Sequence, residues 1–342
     1  MIKSVAVQKI DAIFNKVIHQ ESDEWNLNIN LWSWSCGVGM YGIMKASEVT
    51  GDTRYKSFME KWFEDNHNNH LFGSVNNVAP VSAVLFLAEK SREEKYLAVC
   101  REYSDWCMYK ALRTCNGGLA HVWQGGDEDY KNQLWIDTIF MSGIFMVKYG
   151  LYIKDESIIR EGIKQLDLHI DCLIDQENDL FYHAYHCIDN KHLGQHWGRG
   201  NGWMVGSLVE VIEVLRESGY EISRYAEILG KVMEKAYSVK VENGMLRTLP
   251  LVGESYIETT ATSLFGYAAL KGFRVGILDR KFADWGCRIV KTVIGLISDD
   301  GRIEHCSYGT NPETKEVYMT RPCDQSLYAD GIVMMLLAES NF

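Results

Sequence analysis

The 342-residue sequence predicts an all-α fold, an (α/α)6 barrel or six-hairpin toroid, with short β-hairpins in the long loops of one rim. Three observations predict it. Only four prolines interrupt the chain, and apolar residues recur at helical spacing along most of it. The helical segments come in two alternating kinds, one rich in small and aromatic residues and one amphipathic with a charged face, the pattern of an inner and an outer layer. The connections alternate too, short in one direction and long in the other. A repeating helix pair of this kind stacks into a solenoid or closes into a ring, and six pairs suit closure.

Taken in order, an outer helix over 3–20 precedes the first inner segment, 32–49 (WSWSCGVGMYGIMKASEV). Outer 53–66 leads to inner 79–90, and outer 94–112 to inner 135–151 (WIDTIFMSGIFMVKYGL). Outer 155–173 leads to inner 200–216, outer 221–238 to inner 259–272, and outer 279–297 to inner 324–339. Inner-to-outer turns are short: Thr50-Gly51-Asp52, Lys154-Asp155 and Glu217-Ser218-Gly219. The outer-to-inner loops at 113–134, 174–199, 239–258 and 298–323 are long and alternate glycine with aromatics, which predicts hairpin strands within them. Long loops in a compact domain usually carry function. The same rim receives the N-termini of the inner helices, whose free N–H groups favour a carboxylate-bearing ligand. No linker divides the chain, so 1–342 is expected to form a single domain.

The formal net charge of -11 argues against nucleic acid or an anionic membrane surface as a partner, since both need a dominant basic field. A small anionic ligand remains compatible with a few local cations. The opening MIKSVAVQKIDAIF lacks the unbroken apolar core of a secretory signal, and no stretch is long and apolar enough to span a bilayer. Nine cysteines, an odd number without a CxxC pair, read as reduced thiols. The expectation is a cytoplasmic protein.

Four of the ten histidines fall between Tyr182 and His196, in FYHAYHCIDNKHLGQHWGRGNGW. Without an HExxH or paired CxxC, and with His183 and His186 on opposite faces of a strand, they do not read as a metal site. His186 and His192 read as loop residues bonded to backbone; His183 and His196 are better placed for ligand contact. The run from Trp197 to Trp203 joins flat aromatic surface, a guanidinium and glycines that let a ligand approach the backbone. Trp197 could stack on a sugar ring and Arg199 pair bidentately with its carboxylate. The plainer reading has both tryptophans in the core and Arg199 neutralising a buried Asp. Asp137, in QLWIDTIFM, falls one turn into the third predicted inner helix among apolar neighbours. It either serves the helix N-terminus or has its proton affinity raised by desolvation, leaving a general acid near neutral pH. Weaker rim candidates are His121 and Trp123, Trp34 and Tyr41, Asn77, Glu258, and Arg321 with Asp324, which could simply pair with each other.

The segments QLWIDTIFM, FYHAY, HWGRGNGW and WSWSCGVGMYGIMKASEVTGDTRY, in order along nearly the whole chain, resemble glycoside hydrolase family 105, the unsaturated rhamnogalacturonyl hydrolases. The resemblance implies an (α/α)6 barrel that removes the 4,5-unsaturated uronic acid left at the non-reducing end of pectin oligosaccharides by a lyase. It implies that Asp137 protonates the C4=C5 bond of the enol ether, that water adds at C5, and that the hemiketal collapses to release a keto acid. It also implies substrate contacts from His121, His183, Trp197 and Arg199, with Tyr41 matching an aromatic on the first inner helix; Trp203 joins them as a candidate from its own run, and no metal or cofactor is expected. Two features depart from that pattern. Val122 follows His121 where some members carry a basic residue, and Ala79-Pro80-Val81-Ser82 holds no second acid on the second inner helix. The alternatives are an unsaturated glucuronyl hydrolase, a sugar 2-epimerase that uses the histidines for proton exchange, and a sugar-binding toroid without turnover.

Overall fold

The computed structural model describes residues 2–20, 22, 24, 26–121 and 130–342. Six inner helices, α2 (Trp34–Thr50), α4 (Val81–Ser91), α6 (Ile144–Ile153), α8 (Gly198–Glu217), α10 (Thr259–Arg274) and α13 (Leu327–Glu339), form the ring. Outside them lie α1 (Ile2–His19), α3 (Thr53–Asn66), α5 (Glu94–Tyr109), α7 (Glu156–Leu173), α9 (Ser223–Val239) and α11 (Arg280–Ile294). The predicted alternation is the observed one, with a further short helix, α12 (Lys315–Thr320), in the last long loop. None of the helices, among the described residues, is long and apolar enough to cross a membrane.

The layers follow from the side chains. α13 is buried along its whole length, whereas α7 buries Ile158, Ile159, Leu166, Ile170 and Leu173 and turns its charged face outward. The short turns are set locally: Asp52 and Asp155 cap α3 and α7 by accepting from Arg54 N and Ser157 N, 2.9 Å in each case. The ring closes where α2 meets α13. There a Cβ on Gly331 would lie 2.0 Å from the Val38 carbonyl oxygen, so only glycine permits that approach. Lys16 on α1 reaches over the seam to Asp330 at 2.6 Å.

The long loops hold the strands. In 113–134 and 174–199, β1 (Gln133–Trp135) pairs antiparallel with β4 (Ala184–His186), which pairs with β5 (Lys191–Leu193). Between them in sequence, β2 (Ile174–Asp175) pairs with β3 (Leu180–Phe181). The other long loops carry isolated bridges, Arg247 to Ile257, Ile297 to Ile303 and Ser307 to Cys323. One boundary differs from the sequence expectation. Residues 133–135 join the β1–β4 ladder, and the third inner helix starts later, through a π-turn over Ile139–Gly143. Inter-loop pairing overrides the helical period here, and Asp137 sits at the strand-to-helix junction instead of one turn into the helix.

Candidate active site

The ladder that displaced the helix also builds the site. With Trp135 opposite Ala184 and Ile136 N donating to His183 O at 2.9 Å, the next residue, Asp137, brings Oδ2 to 3.4 Å from His183 Nε2. His183 is itself fixed: Nδ1 lies 2.6 Å from the Tyr318 hydroxyl, and the ring stacks on Trp197 at 4.5 Å. His121, from the preceding loop, bonds Thr138 Oγ1 through Nδ1 at 2.9 Å and stacks on Trp135 at 4.7 Å. A cavity of about 340 Å³ opens beside these groups on the long-loop rim, lined in part by Asp137, His121, Trp135, Trp197, Arg199 and Trp203. Five of the six sequence-predicted contacts thus belong to this place, with His183 just behind Asp137.

Tyr41 does not. It lies about two turns into α2, its ring against Phe140 at 5.4 Å and its hydroxyl accepting from Lys148 Nζ at 3.4 Å, facing the opposite end of the barrel. His196 also turns away, pairing with Asp175 at 2.9 Å. His186 pairs with Asp189 at 3.0 Å, and His192 Nε2 lies 2.9 Å from the Cys172 carbonyl oxygen, so the four clustered histidines diverge to separate partners. Among the described residues, no group of three or more His, Cys, Asp or Glu could hold a metal ion. Asn77 is buried, and its neighbour Asn76 reaches the cavity. Trp123 lies outside the described residues.

Arg199 is more engaged than its expected bidentate role requires. Nη1 donates to Ser307 O (2.9 Å), Ser307 Oγ (2.8 Å) and Thr260 Oγ1 (3.2 Å), Nη2 donates to Tyr308 O (2.8 Å), and Glu258 lies 3.6 Å away. The buried acid it neutralises is this Glu258, which caps α10 by accepting from Ala261 N at 2.5 Å. Nε alone has no hydrogen-bond partner among the described residues. Trp197 also has occupied surface: beside its stack on His183, the Arg199 guanidinium lies 4.5 Å from its ring. It holds those two groups in place and is not an open platform for a sugar.

The electrostatics of Asp137 reverse the sequence expectation. Burial raises its proton affinity, but the His183 imidazole, and then His121 and Arg199, outweigh it and hold the carboxyl below the ordinary range. His121 is pushed down to about 4 by burial and stays neutral near pH 7. Unlike Glu258, Asp137 caps nothing: no side chain caps the π-turn, and Oδ2 is buried without a hydrogen bond. Asp137 is also the sole carboxylate among the described residues that line the cavity.

One property unites the lining. Asn26 Oδ1, Asp137 Oδ2, Arg199 Nε, Trp203 Nε1 and Arg321 Nε are all buried and lack a hydrogen-bond partner among the described residues. Buried polar atoms in native proteins are nearly always paired, so five orphans around one cavity mark a place where a polar ligand completes the bonding. Sequence reasoning missed Tyr318 and Asn26. Tyr318 stands 135 residues from His183 on a helix of under two turns, and no local pattern signals it.

The profile of Glycosyl Hydrolase Family 88 matches residues 9–341. The chain belongs to that family. It is a glycoside hydrolase on the (α/α)6 toroid. Among similar proteins is the unsaturated rhamnogalacturonyl hydrolase YesR of Bacillus subtilis (strain 168), 26% identical over 281 residues, covering 82% of this chain and 80% of that one. An unsaturated 3S-rhamnoglycuronyl hydrolase of Alteromonas sp. (strain LOR) is 24% identical over 87% of this chain and 75% of its own. A Klebsiella pneumoniae crystal structure, described as a possible member of family GH105, superposes with a TM-score of 0.92 at 23% identity, covering 99% of this chain and 93% of its own. The resemblance read from QLWIDTIFM and HWGRGNGW agrees with these similarities.

Proposed function

We propose that this family 88 chain, acting as one unit over its whole length, is an unsaturated uronyl hydrolase that takes lyase-generated pectin oligosaccharides and removes the terminal 4,5-unsaturated uronic acid. The observation that carries this reading is that Asp137 is the single carboxylate, among the described residues, facing a cavity ringed by polar atoms that lack a hydrogen-bond partner among those residues. Direct glycosidases place two carboxyl groups across the bond they break, whereas hydration of an enol ether needs one proton donor and one water. The names of the YesR and 3S-rhamnoglycuronyl relatives support the same chemistry. Nine unpaired cysteines favour a reducing compartment, the cytoplasm.

In this mechanism Asp137 delivers its proton to C4, water adds to C5, and the hemiketal collapses with release of the sugar to which the uronate was joined. Asp137 is ionised in the free enzyme, so the substrate must help to protonate it. A uronate carboxylate arriving beside it, and the water it displaces, both raise the pKa of Asp137. Arg199 Nε, beside Trp197, is positioned for that carboxylate, and the His183–Tyr318 pair holds the Asp137 side chain.

Mixing the protein with an unsaturated pectin disaccharide should abolish the ultraviolet absorbance of the conjugated enol. Asp137→Asn should slow that loss by about a thousandfold. An unchanged rate in the variant rejects the mechanism, and solvent deuterium uptake with the double bond intact points to an epimerase. A panel of lyase products separates galacturonyl from glucuronyl preference.

A further inference from the structure

Two arginines line the cavity, and they differ in what surrounds them. Arg199 forms its floor: it is 1% exposed, its charge is balanced by Glu258, and four hydrogen bonds fix it. Arg321 stands at the mouth, half-buried, next to the exposed Thr320, Pro322 and Cys323. It makes no ion pair or hydrogen bond among the described residues, yet its Nε is buried. Asp324, its expected partner, is turned elsewhere, accepting from Gln325 N at 2.7 Å and from the Tyr308 hydroxyl at 3.4 Å.

The backbone under Arg321 is held. α12 stops there because Pro322 follows, and the chain then enters a ladder in which Tyr308 N donates to Pro322 O (2.9 Å) and Asp324 N donates to Cys306 O (2.9 Å). The opposite strand of that ladder supplies the Ser307 and Tyr308 carbonyls that grip Arg199. One hairpin thus holds the Arg199 guanidinium and the backbone that carries Arg321. Burying an N–H of a guanidinium without an acceptor costs free energy that a bound anion returns.

We propose that Arg321 recognises an acidic group, a carboxylate or a sulfate ester, on the sugar from which the terminal uronic acid is removed. This rests on the uronyl hydrolase reading of the site. An enzyme that takes only the terminal residue buries it at the floor, against Asp137 and Arg199, and leaves the second sugar at the mouth. Among the described residues, the uncompensated cation at the mouth is Arg321. Its guanidinium is planar and pairs side-on with either anion, while the neutral Asn26, Thr310 and Asn311 nearby suit hydroxyl groups.

The test uses three disaccharides with the same unsaturated uronate and a second sugar that is neutral, carboxylated or sulfated. The quantity read is the ratio of kcat/KM for each acidic substrate to that for the neutral one, at low ionic strength. The expected ratio is about tenfold or more in the native enzyme, carried by KM, for at least one acidic substrate, the size of a charge-assisted hydrogen bond. It should collapse toward one in Arg321→Gln and be partly retained in Arg321→Lys; which acid shows it identifies the anion. A native ratio near one, or a ratio that survives in Arg321→Gln, overturns the proposal. Equal loss on all three substrates also overturns it and assigns Arg321 to the terminal uronate. If the native enzyme consumes none of the three, the hydrolase reading itself fails, a result distinct from turnover without discrimination.

Discussion

The two rims of the barrel are both rich in charge, but they treat it in opposite ways. At the short-turn rim, Glu210 is fully buried and accepts from Lys271 (2.8 Å) and Lys45 (3.2 Å), from Lys148 and from the Tyr267 hydroxyl. Lys45 has a second partner in Glu48 (3.1 Å) and Lys271 in Glu213 (2.6 Å), while Arg274 bridges Glu213 (3.1 Å) and Glu339 (2.6 Å). At the long-loop rim, Arg321, Trp203 and Asn26 each keep a buried polar atom with no hydrogen-bond partner among the described residues, and Asp137 Oδ2 has only the 3.4 Å contact with His183. The cavity at the paired rim is the larger, about 480 Å³ against 340 Å³. Size therefore does not separate a functional cavity from a structural one; the state of its polar atoms does. A closed network specifies which helices meet, and an open one waits for a ligand.

Exchanging one carboxylate at each rim is the strongest way to break this comparison. Asp137→Asn should lose about a thousandfold in kcat and less in stability than Glu210→Gln, since Asp137 caps no helix and its ion pair among the described residues is the 3.4 Å contact with His183. Glu210→Gln should do the reverse. The lysines hold its carboxyl well below the ordinary range against the effect of burial, and removing that charge leaves Lys148 without a carboxylate partner among the described residues and Lys45 and Lys271 with one each, Glu48 and Glu213. We expect the urea midpoint to fall by the equivalent of about 3–5 kcal/mol with an unchanged m-value, and the folded fraction to keep its kcat. Loss of activity in proportion to stability in both variants would erase the distinction between the rims.

Acid should weaken the fold, with a slope that can be assigned. His121 and His169 are both pushed from 6.5 to about 4 by burial, so the unfolded chain binds protons there that the folded chain refuses. Their contribution is complete above pH 6.5 and declines as pH falls toward 4, by about 3 kcal/mol for each residue. Asp330 acts in the opposite sense: burial raises it to about 6, so it costs stability as pH rises from 3.8 to 6. His169, on the outer helix α7, is away from the lining, which makes it the cleaner probe. The stability difference between the native protein and His169→Gln should shrink by about 3 kcal/mol between pH 7 and pH 4, because only that histidine's titration is removed. A difference independent of pH would mean that His169 has the same proton affinity in the fold as in the unfolded chain.

Much of the architecture was legible because helix burial writes a period into the sequence: the apolar run of α13 and the striped face of α7 announce their layers without help. Where pairing between distant loops decides the outcome, that signal fails. Trp135 carries the pattern of a helix start and instead ends the strand Gln133–Trp135, because β4 supplies the ladder. The same limit governs the site. Asp137, His183 and Arg199 stand in distinctive local strings, whereas the depressed proton affinity of Asp137 comes from a histidine 46 positions away. Nor could composition tell that Tyr41 faces the paired rim, since an aromatic on an inner helix serves either end.

The smallest effect is also the most discriminating. Trp203 is fully buried, packs on Phe140 at 4.5 Å, and reaches the cavity with an indole N–H that has no acceptor among the described residues. Trp203→Phe removes that N–H and some volume. Losing a buried, unpaired donor relieves a desolvation penalty of about 1–3 kcal/mol, and the smaller ring leaves a void of similar cost, so the melting temperature should hardly move. With substrate bound the balance changes, because the donor is then paired and its removal costs a hydrogen bond. KM should rise severalfold, by the equivalent of about 1 kcal/mol, with kcat little altered. The same exchange made at Tyr267 of the paired rim, Tyr267→Phe, should leave KM untouched and lower stability, since its hydroxyl already serves Glu210. If instead Trp203→Phe lowers stability and spares KM, the indole N–H has a structural partner, and the long-loop rim is less open than its orphaned atoms imply.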